Sequence, residues 1–328
     1  MLPFFYRKYR LLIWLALFIL FETGAVSKSY HADAWEVWLN AVLGILCLFI
    51  FLTLALRKGI KTQQEVHRLQ ENTNTHKKQG RLVLLFTILG GVAATALLPY
   101  LMPVIQDSFS GLPLPLADKA IITVIQVTLM TLVTCALGLN LASKVGLGAP
   151  LLHYWLYGGK KVTISFRWLG IGGLGALAGT AVIAGMEKMV FQPRFPALTS
   201  SPPVALWKGA LTFLYGGIVE EVLLRLFVMS LMVWLFTLVR RTRSNIPTYY
   251  FVCSIVLSAV LFGLGHLPAT MSMFGEITPL LVVRAILNNG LLGIWFGYLF
   301  WKKGLEYAIV SHMFADAFLH VLASWILL

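Results

Sequence analysis

Residues 207–239 read WKGALTFLYGGIVEEVLLRLFVMSLMVWLFTLV. After Lys208 the charged residues of this mostly apolar run are Glu220, Glu221 and Arg225. A helix of about 20 such residues crosses a hydrocarbon core of about 30 Å, so this stretch is long enough to span a bilayer. Eight further apolar runs of similar kind fall at 11–27, 35–56, 82–105, 120–143, 168–190, 249–266, 279–300 and 305–327. Backbone groups in lipid must be satisfied within each segment, and runs of this length do so as helices. The expected fold is therefore an all-α, polytopic transmembrane helix bundle of about nine spans. Composition agrees: 59% of residues are hydrophobic and 12% charged, against roughly 25% charged in a soluble domain.

The net charge of +13 would suggest nucleic acid in a soluble protein, but the basic residues are sorted by loop. Arg7, Lys8 and Arg10 precede the first span, the 57–81 loop carries seven more, and Lys144, Lys160, Lys161, Arg167, Arg240, Arg241, Arg243, Lys302 and Lys303 follow in alternate connections. The positive-inside rule then sets the N-terminus in the cytoplasm and the C-terminus outside. The partner implied is a lipid bilayer, in a cell membrane, and not nucleic acid. Leu11 to Phe21 behind a basic start also has the form of a signal-peptide core, but a second span follows at once and retention is expected. Cys47, Cys135 and Cys253 lie in apolar runs without a CxxC pair and are read as packing residues.

Two polar landmarks divide the chain. The 57–81 loop is a solvated cytoplasmic linker. The Pro- and Ser-rich stretch Gln192 to Val204 breaks any helix. The reading is thus an N-terminal set of transmembrane helices over 1–200 and a catalytic helical core over 205–328. Gly170 to Gly179 and Gly293 to Gly297 carry Gly-xxx-Gly spacing, which lets helices approach closely, and are read as packing faces.

Ionisable groups at membrane depth are costly and usually have a partner or a function. The last four spans hold Glu220, Glu221, Arg225, His266, Arg284, His312, Asp316 and His320. On an α-helix, Arg225 lies about 40° from Glu221 but about 140° from Glu220. Glu221 and Arg225 are therefore expected to pair structurally one turn apart. Glu220 faces elsewhere, a desolvated carboxylate suited to act as general base on water. His312 and Asp316 share a helix face at i, i+4. His266 closes the run that begins at Phe262. Counting along the helices brings Glu220 and His266 to one depth, about 30 Å from their cytoplasmic ends, but leaves His312 and Asp316 only about 13–20 Å up. Arg284, near the end of its span, is expected to snorkel to the surface. Asn288 and Asn289 suggest no role.

Glu220-Glu221-xxx-Arg225, Phe262-xxx-His266 and His312-xxx-Asp316 resemble, in order, the three motifs of the CPBP (CAAX protease and bacteriocin-processing, or Abi) family of intramembrane proteases, related to type II CAAX prenyl endopeptidases. Gly297 to Glu306 also looks like the segment before that family's third motif. Asp316 stands where the eukaryotic CAAX endopeptidases have Asn, a variant many prokaryotic members show. The resemblance implies an intramembrane endopeptidase acting on a membrane-associated peptide or protein. Glu220 would activate a water that His266 helps to hold, and His312 and Asp316 would stabilise the oxyanion, Asp316 either protonated or orienting His312. Glu221, Arg225 and Phe262 would support them. No cofactor is expected.

The alternative within enzymes is zinc held by Glu220, His266, His312 and Asp316. Outside enzymes, the same cavity suits a non-catalytic immunity or regulatory protein. A proton-coupled transporter is a third class, against which stands the confinement of the charges to four spans.

Overall fold

A computed structural model of the chain describes residues 79–108, 111, 113–159, 161–195, 198, 205–240 and 246–319. The expected spans at 11–27 and 35–56, most of the 57–81 loop and His320 lie outside these residues. Among the described residues all regular structure is helical, and six helices are long and apolar enough to cross a membrane: Gly80–Gln106, Leu116–Lys144, Phe166–Arg194, Leu206–Val239, Thr248–Phe274 and Pro279–Lys303. Each coincides with an expected span. The last expected span, 305–327, is described as a helix over Leu305–Ala317. The described residues of 76–105 and 116–328 make one compact unit.

The helices are α1 (Gly80–Ser108), α2 (Leu116–Lys144), the short α3 (Pro150–Tyr157) and α4 (Phe166–Met186), which continues as a π-helical turn Glu187–Phe191. Then come α5 (Leu206–Val239), α6 (Thr248–Gly265), α7 (Leu267–Phe274), α8 (Pro279–Lys303) and α9 (Leu305–Ala317). The regular α-helix expected across 207–239 is replaced at its centre by π-helical turns, Tyr215–Glu220 and Val222–Met229. Wider i→i+5 turns of this kind are rare and cluster at functional sites. Here they surround the charged residues.

Small residues set the packing, because helices in lipid gain little from hydrophobic burial and rely on close contact. A Cβ added at Gly263 would lie 2.4 Å from the Ile286 Cα, and one at Gly293 or Gly297 would press on Ala259 or Ile255. Helices α6 and α8 are thus a tight pair. Gly138 of α2 meets the Leu226 backbone of α5 in the same way. Along α4, Gly172, Gly175 and Gly179 face Ser311, Trp295 and Leu292 in turn. That ridge of glycines seats α4 against both α8 and α9.

The start of α9 is fixed by the connection that runs from α2 to α4. Gly304, at φ 106°, turns the chain between α8 and α9 in the left-handed region that favours glycine. The Leu305 amide donates to the Gly148 carbonyl at 3.0 Å, and the Ser165 amide donates to the Tyr307 hydroxyl at 2.7 Å. Glu306 accepts from the Leu152 amide at 2.8 Å. A distant carboxylate thereby caps the first turn of α3, whose own N-cap, Ala149, offers no side-chain bond. Helix α9, which carries His312, is anchored at its first three residues.

Candidate active site

Of the two glutamates on α5, Glu221 pairs with Arg225 as expected, and both reach the same histidine. The Arg225 Nη1 lies 3.3 Å from the Glu221 Oε1, with both side chains fully buried. The Arg225 Nη2 donates to the Gly293 carbonyl of α8 at 3.0 Å. Its guanidinium sits between two rings, 5.2 Å from the centroid of Phe262 and 5.5 Å from that of Phe296. An ion pair, a carbonyl and two aromatic faces offset the burial of this cation, although its Nε is buried without a hydrogen-bond partner. Arg225 therefore ties α5 to α6 and α8.

The same Glu221 oxygen does a second task. It lies 2.8 Å from the His312 Nδ1, so in the neutral ring Nδ1–H donates to the carboxylate and Nε2 is left as the free nitrogen. Phe296 stacks on the imidazole at 4.4 Å between centroids and 18° between planes. Arg225, Glu221 and His312 form one buried chain of contacts that fixes how the ring is turned.

On the free side, the Glu220 Oε2 and the Asp316 Oδ1 each lie 3.7 Å from the His312 Nε2. The depths counted along the helices had left His312 and Asp316 well below Glu220. The structure brings them together, with α9 starting directly after Gly304. Their approach depends on Gly216, since a Cβ there would stand 2.3 Å from the Asp316 Oδ2 and 2.9 Å from the His312 Nε2.

His266 stands at the junction of α6 and α7, with backbone angles of −90° and −1° that end one helix and begin the other. Its Nδ1 lies 2.9 Å from the Phe262 carbonyl, which takes up that nitrogen. The Phe262 ring contacts the rings of both His266, at 4.9 Å, and His312, at 6.1 Å. Phe262 is thus the side chain through which the second motif meets the first and the third. For a zinc centre, Glu220, His266, His312 and Asp316 would have to converge on one point. Among the described residues no group of three or more His, Cys, Asp or Glu side chains is placed to hold a metal ion.

Residues 202–318 match the model of a family described as type II CAAX prenyl endopeptidase Rce1-like. Over this C-terminal segment the chain is similar to the CAAX-protease family. The match takes in every helix from α5 to α9 and with them Glu220, Glu221, Arg225, Phe262, His266, His312 and Asp316. Neither a curated protein nor a solved structure matches the chain. The CAAX-protease match and the six apolar helices together support an intramembrane protease in general terms.

Several side chains around this cluster had no signal in the sequence. The Ser311 hydroxyl donates to the Gly172 carbonyl at 2.8 Å, and the Trp295 Nε1 lies 3.3 Å from that carbonyl and 3.2 Å from the Ser311 Oγ. Helix α4 lies outside the matched segment, yet it braces the residue next to His312. The expected snorkelling of Arg284 is incorrect. Its Nε lies 2.8 Å from the Glu187 Oε1, and both side chains are mostly buried. The Asn288 amide donates to the same oxygen. Glu187 lies in the turn after α4, 97 positions earlier in sequence, so a reading of span position alone gave Arg284 no partner but the surface.

Proposed function

We propose that this chain is an intramembrane endopeptidase that hydrolyses peptide bonds of membrane-associated peptides or proteins through a water activated by Glu220. The observation that carries this reading is the convergence of Glu220, His312 and Asp316 at Nε2, with Glu221 holding the opposite ring nitrogen. Charge balance assigns the roles. Glu221 and Arg225 neutralise one another. Glu220 and a protonated His312 make a second neutral pair, and Asp316 completes a neutral site in its acid form. A net-neutral set is the one that a low-dielectric interior tolerates.

Water held between Glu220 and His312 gives its proton to the Glu220 carboxylate as its oxygen attacks the substrate carbonyl carbon. The carbonyl oxygen becomes an oxyanion, to which the His312 Nε2–H and the Asp316 acid proton are donated as hydrogen bonds. His266, with Nδ1 committed to the Phe262 carbonyl, has only Nε2 to offer, and polarises the water or the carbonyl. Glu220 then passes its proton to the departing amine as the C–N bond breaks. Glu221 and Arg225 act through His312 and touch no reacting atom.

The test is cleavage of a mixed library of membrane-associated peptides by detergent-purified protein, comparing wild type with His266→Ala and His312→Ala, with and without a chelator. Cleavage by wild type, abolished in His312→Ala and reduced in His266→Ala, is the expected result. Loss of wild-type cleavage on chelation, restored by zinc, would replace this mechanism with a metallopeptidase.

A further inference from the structure

The turn of α5 that ends at Glu220 is π-helical from Tyr215 onward. In an α-helix, residues five apart point about 140° away from each other. A turn closed by i→i+5 bonds sets them one above the other instead. Tyr215 and Glu220, the first and last residues of this turn, therefore share a face. Burial follows the same division, since both are partly exposed whereas Gly216 to Val219 between them are buried. The charge of the Glu220 carboxylate is felt at the Tyr215 phenol.

Gly216 follows directly and forms the floor on which α9 sets its catalytic groups. A Cβ there would stand 2.3 Å from the Asp316 Oδ2 and 2.9 Å from the His312 Nε2. Glu220 is the carboxylate common to both surroundings, beside the phenol and 3.7 Å from that Nε2. With His312 and Asp316 turned to the oxyanion, the proton that Glu220 takes from water still has to reach the departing nitrogen. A group that passes a proton on must accept and donate at one site. A phenolic hydroxyl does both. The imidazoles are less suited, because the Nδ1 of His266 is held by the Phe262 carbonyl and that of His312 by Glu221.

We propose that Tyr215 is a further catalytic residue, whose phenol relays the proton from Glu220 to the nitrogen of the departing amine. The proposal rests on the peptidase reading above, in which Glu220 is the base. The carboxyl proton of Glu220 moves to the phenol oxygen as the phenol's own proton moves to the nitrogen lone pair. The C–N bond then breaks with its electrons staying on nitrogen, and the oxyanion closes to a C=O bond. Glu220 returns to carboxylate, Tyr215 keeps its hydroxyl, and no additional charge is created in the low-dielectric interior.

The experiment takes the library peptide that full-length wild type cleaves fastest in detergent and remakes it with a thioester at the scissile bond. A thiolate leaves without a proton, whereas an amide nitrogen has to be protonated, so the pair of substrates separates proton delivery from attack. Tyr215→Phe keeps the ring and removes the hydroxyl. Its kcat on the amide should fall by roughly 10²-fold, the low end for a positioned acid, with KM little changed. On the thioester the fall should be far smaller. Equal falls on both substrates overturn the relay and assign the phenol to holding Glu220 or the helix; no fall on either overturns it outright. Wild type alone gives a second reading. In mixtures of light and heavy water its amide cleavage should slow along a curve, the mark of more than one proton in motion, and a straight line overturns the proposal whether or not the variant folds. Each of these adverse results leaves the peptidase reading standing. Failure of wild type to cleave any peptide overturns that reading and this inference with it.

Discussion

Two buried arginines in this bundle face the same problem and are solved differently. Arg225 is fully enclosed. Glu221, the Gly293 carbonyl and the rings of Phe262 and Phe296 surround it, and the Glu221 oxygen that it holds goes on to fix His312. Arg284 has one carboxylate and one ring, and its side chain keeps some exposure. The first pair lies behind the His312 ring and is wholly enclosed, whereas the second keeps some exposure.

The comparison is broken most severely by removing the enclosed charge. Arg225→Ala strands Glu221, and Glu221→Ala strands Arg225. Loss of one partner of a buried pair costs about 3–5 kcal/mol, enough to lower the midpoint of thermal unfolding in detergent by many degrees. The more exposed pair should respond less. Glu187→Gln keeps most of the shape and leaves Arg284 partly exposed, so its midpoint should fall by a smaller amount than in either enclosed variant. A larger drop for Glu187→Gln than for Glu221→Ala would reverse the comparison.

Gly216→Ala sharpens the comparison from the catalytic side. The new methyl would overlap Asp316 Oδ2 and His312 Nε2, and overpacking of this kind costs about 1–3 kcal/mol. Activity should fall by more than stability does, because the methyl lands on the reacting side of His312. An Ala at Gly170, which has open space around it, is the control and should be silent in both measurements.

Ser311→Ala is the mildest change. It removes the hydrogen bond to Gly172, worth about 0.5–1.5 kcal/mol. A positioning role predicts a shifted pH profile for cleavage, since the neighbouring His312 is then less well held. A purely structural role would lower stability and leave that profile in place.

The sequence was most legible where lipid physics is strict. Apolar runs of bilayer length identified the six described spans because nothing else in a chain needs that length. The Glu221–Arg225 pair followed from helical spacing alone. Long-range contacts were a different matter. Nothing in the run around Glu221 announces His312, 91 positions away, and the separation between Gly172 and Ser311 is 139. The π-helical turns of α5 were also invisible, since a single widened turn leaves the apolar pattern almost unchanged. Arg284 was misread for a related reason: position in a span suggests a surface when the partner lies on another helix. Gly216 carries no signal of its own in the 207–239 run, and only the approach of α9 explains why that position cannot carry a side chain.

The most direct test of the central claim is the rate of peptide cleavage by Glu220→Gln beside wild type, with both proteins equally stable in detergent. The substitution keeps shape and removes only the base. General acid–base groups contribute roughly 10²–10⁴-fold, so the account predicts a fall of that size in kcat with little change in KM. Full activity in Glu220→Gln would contradict it.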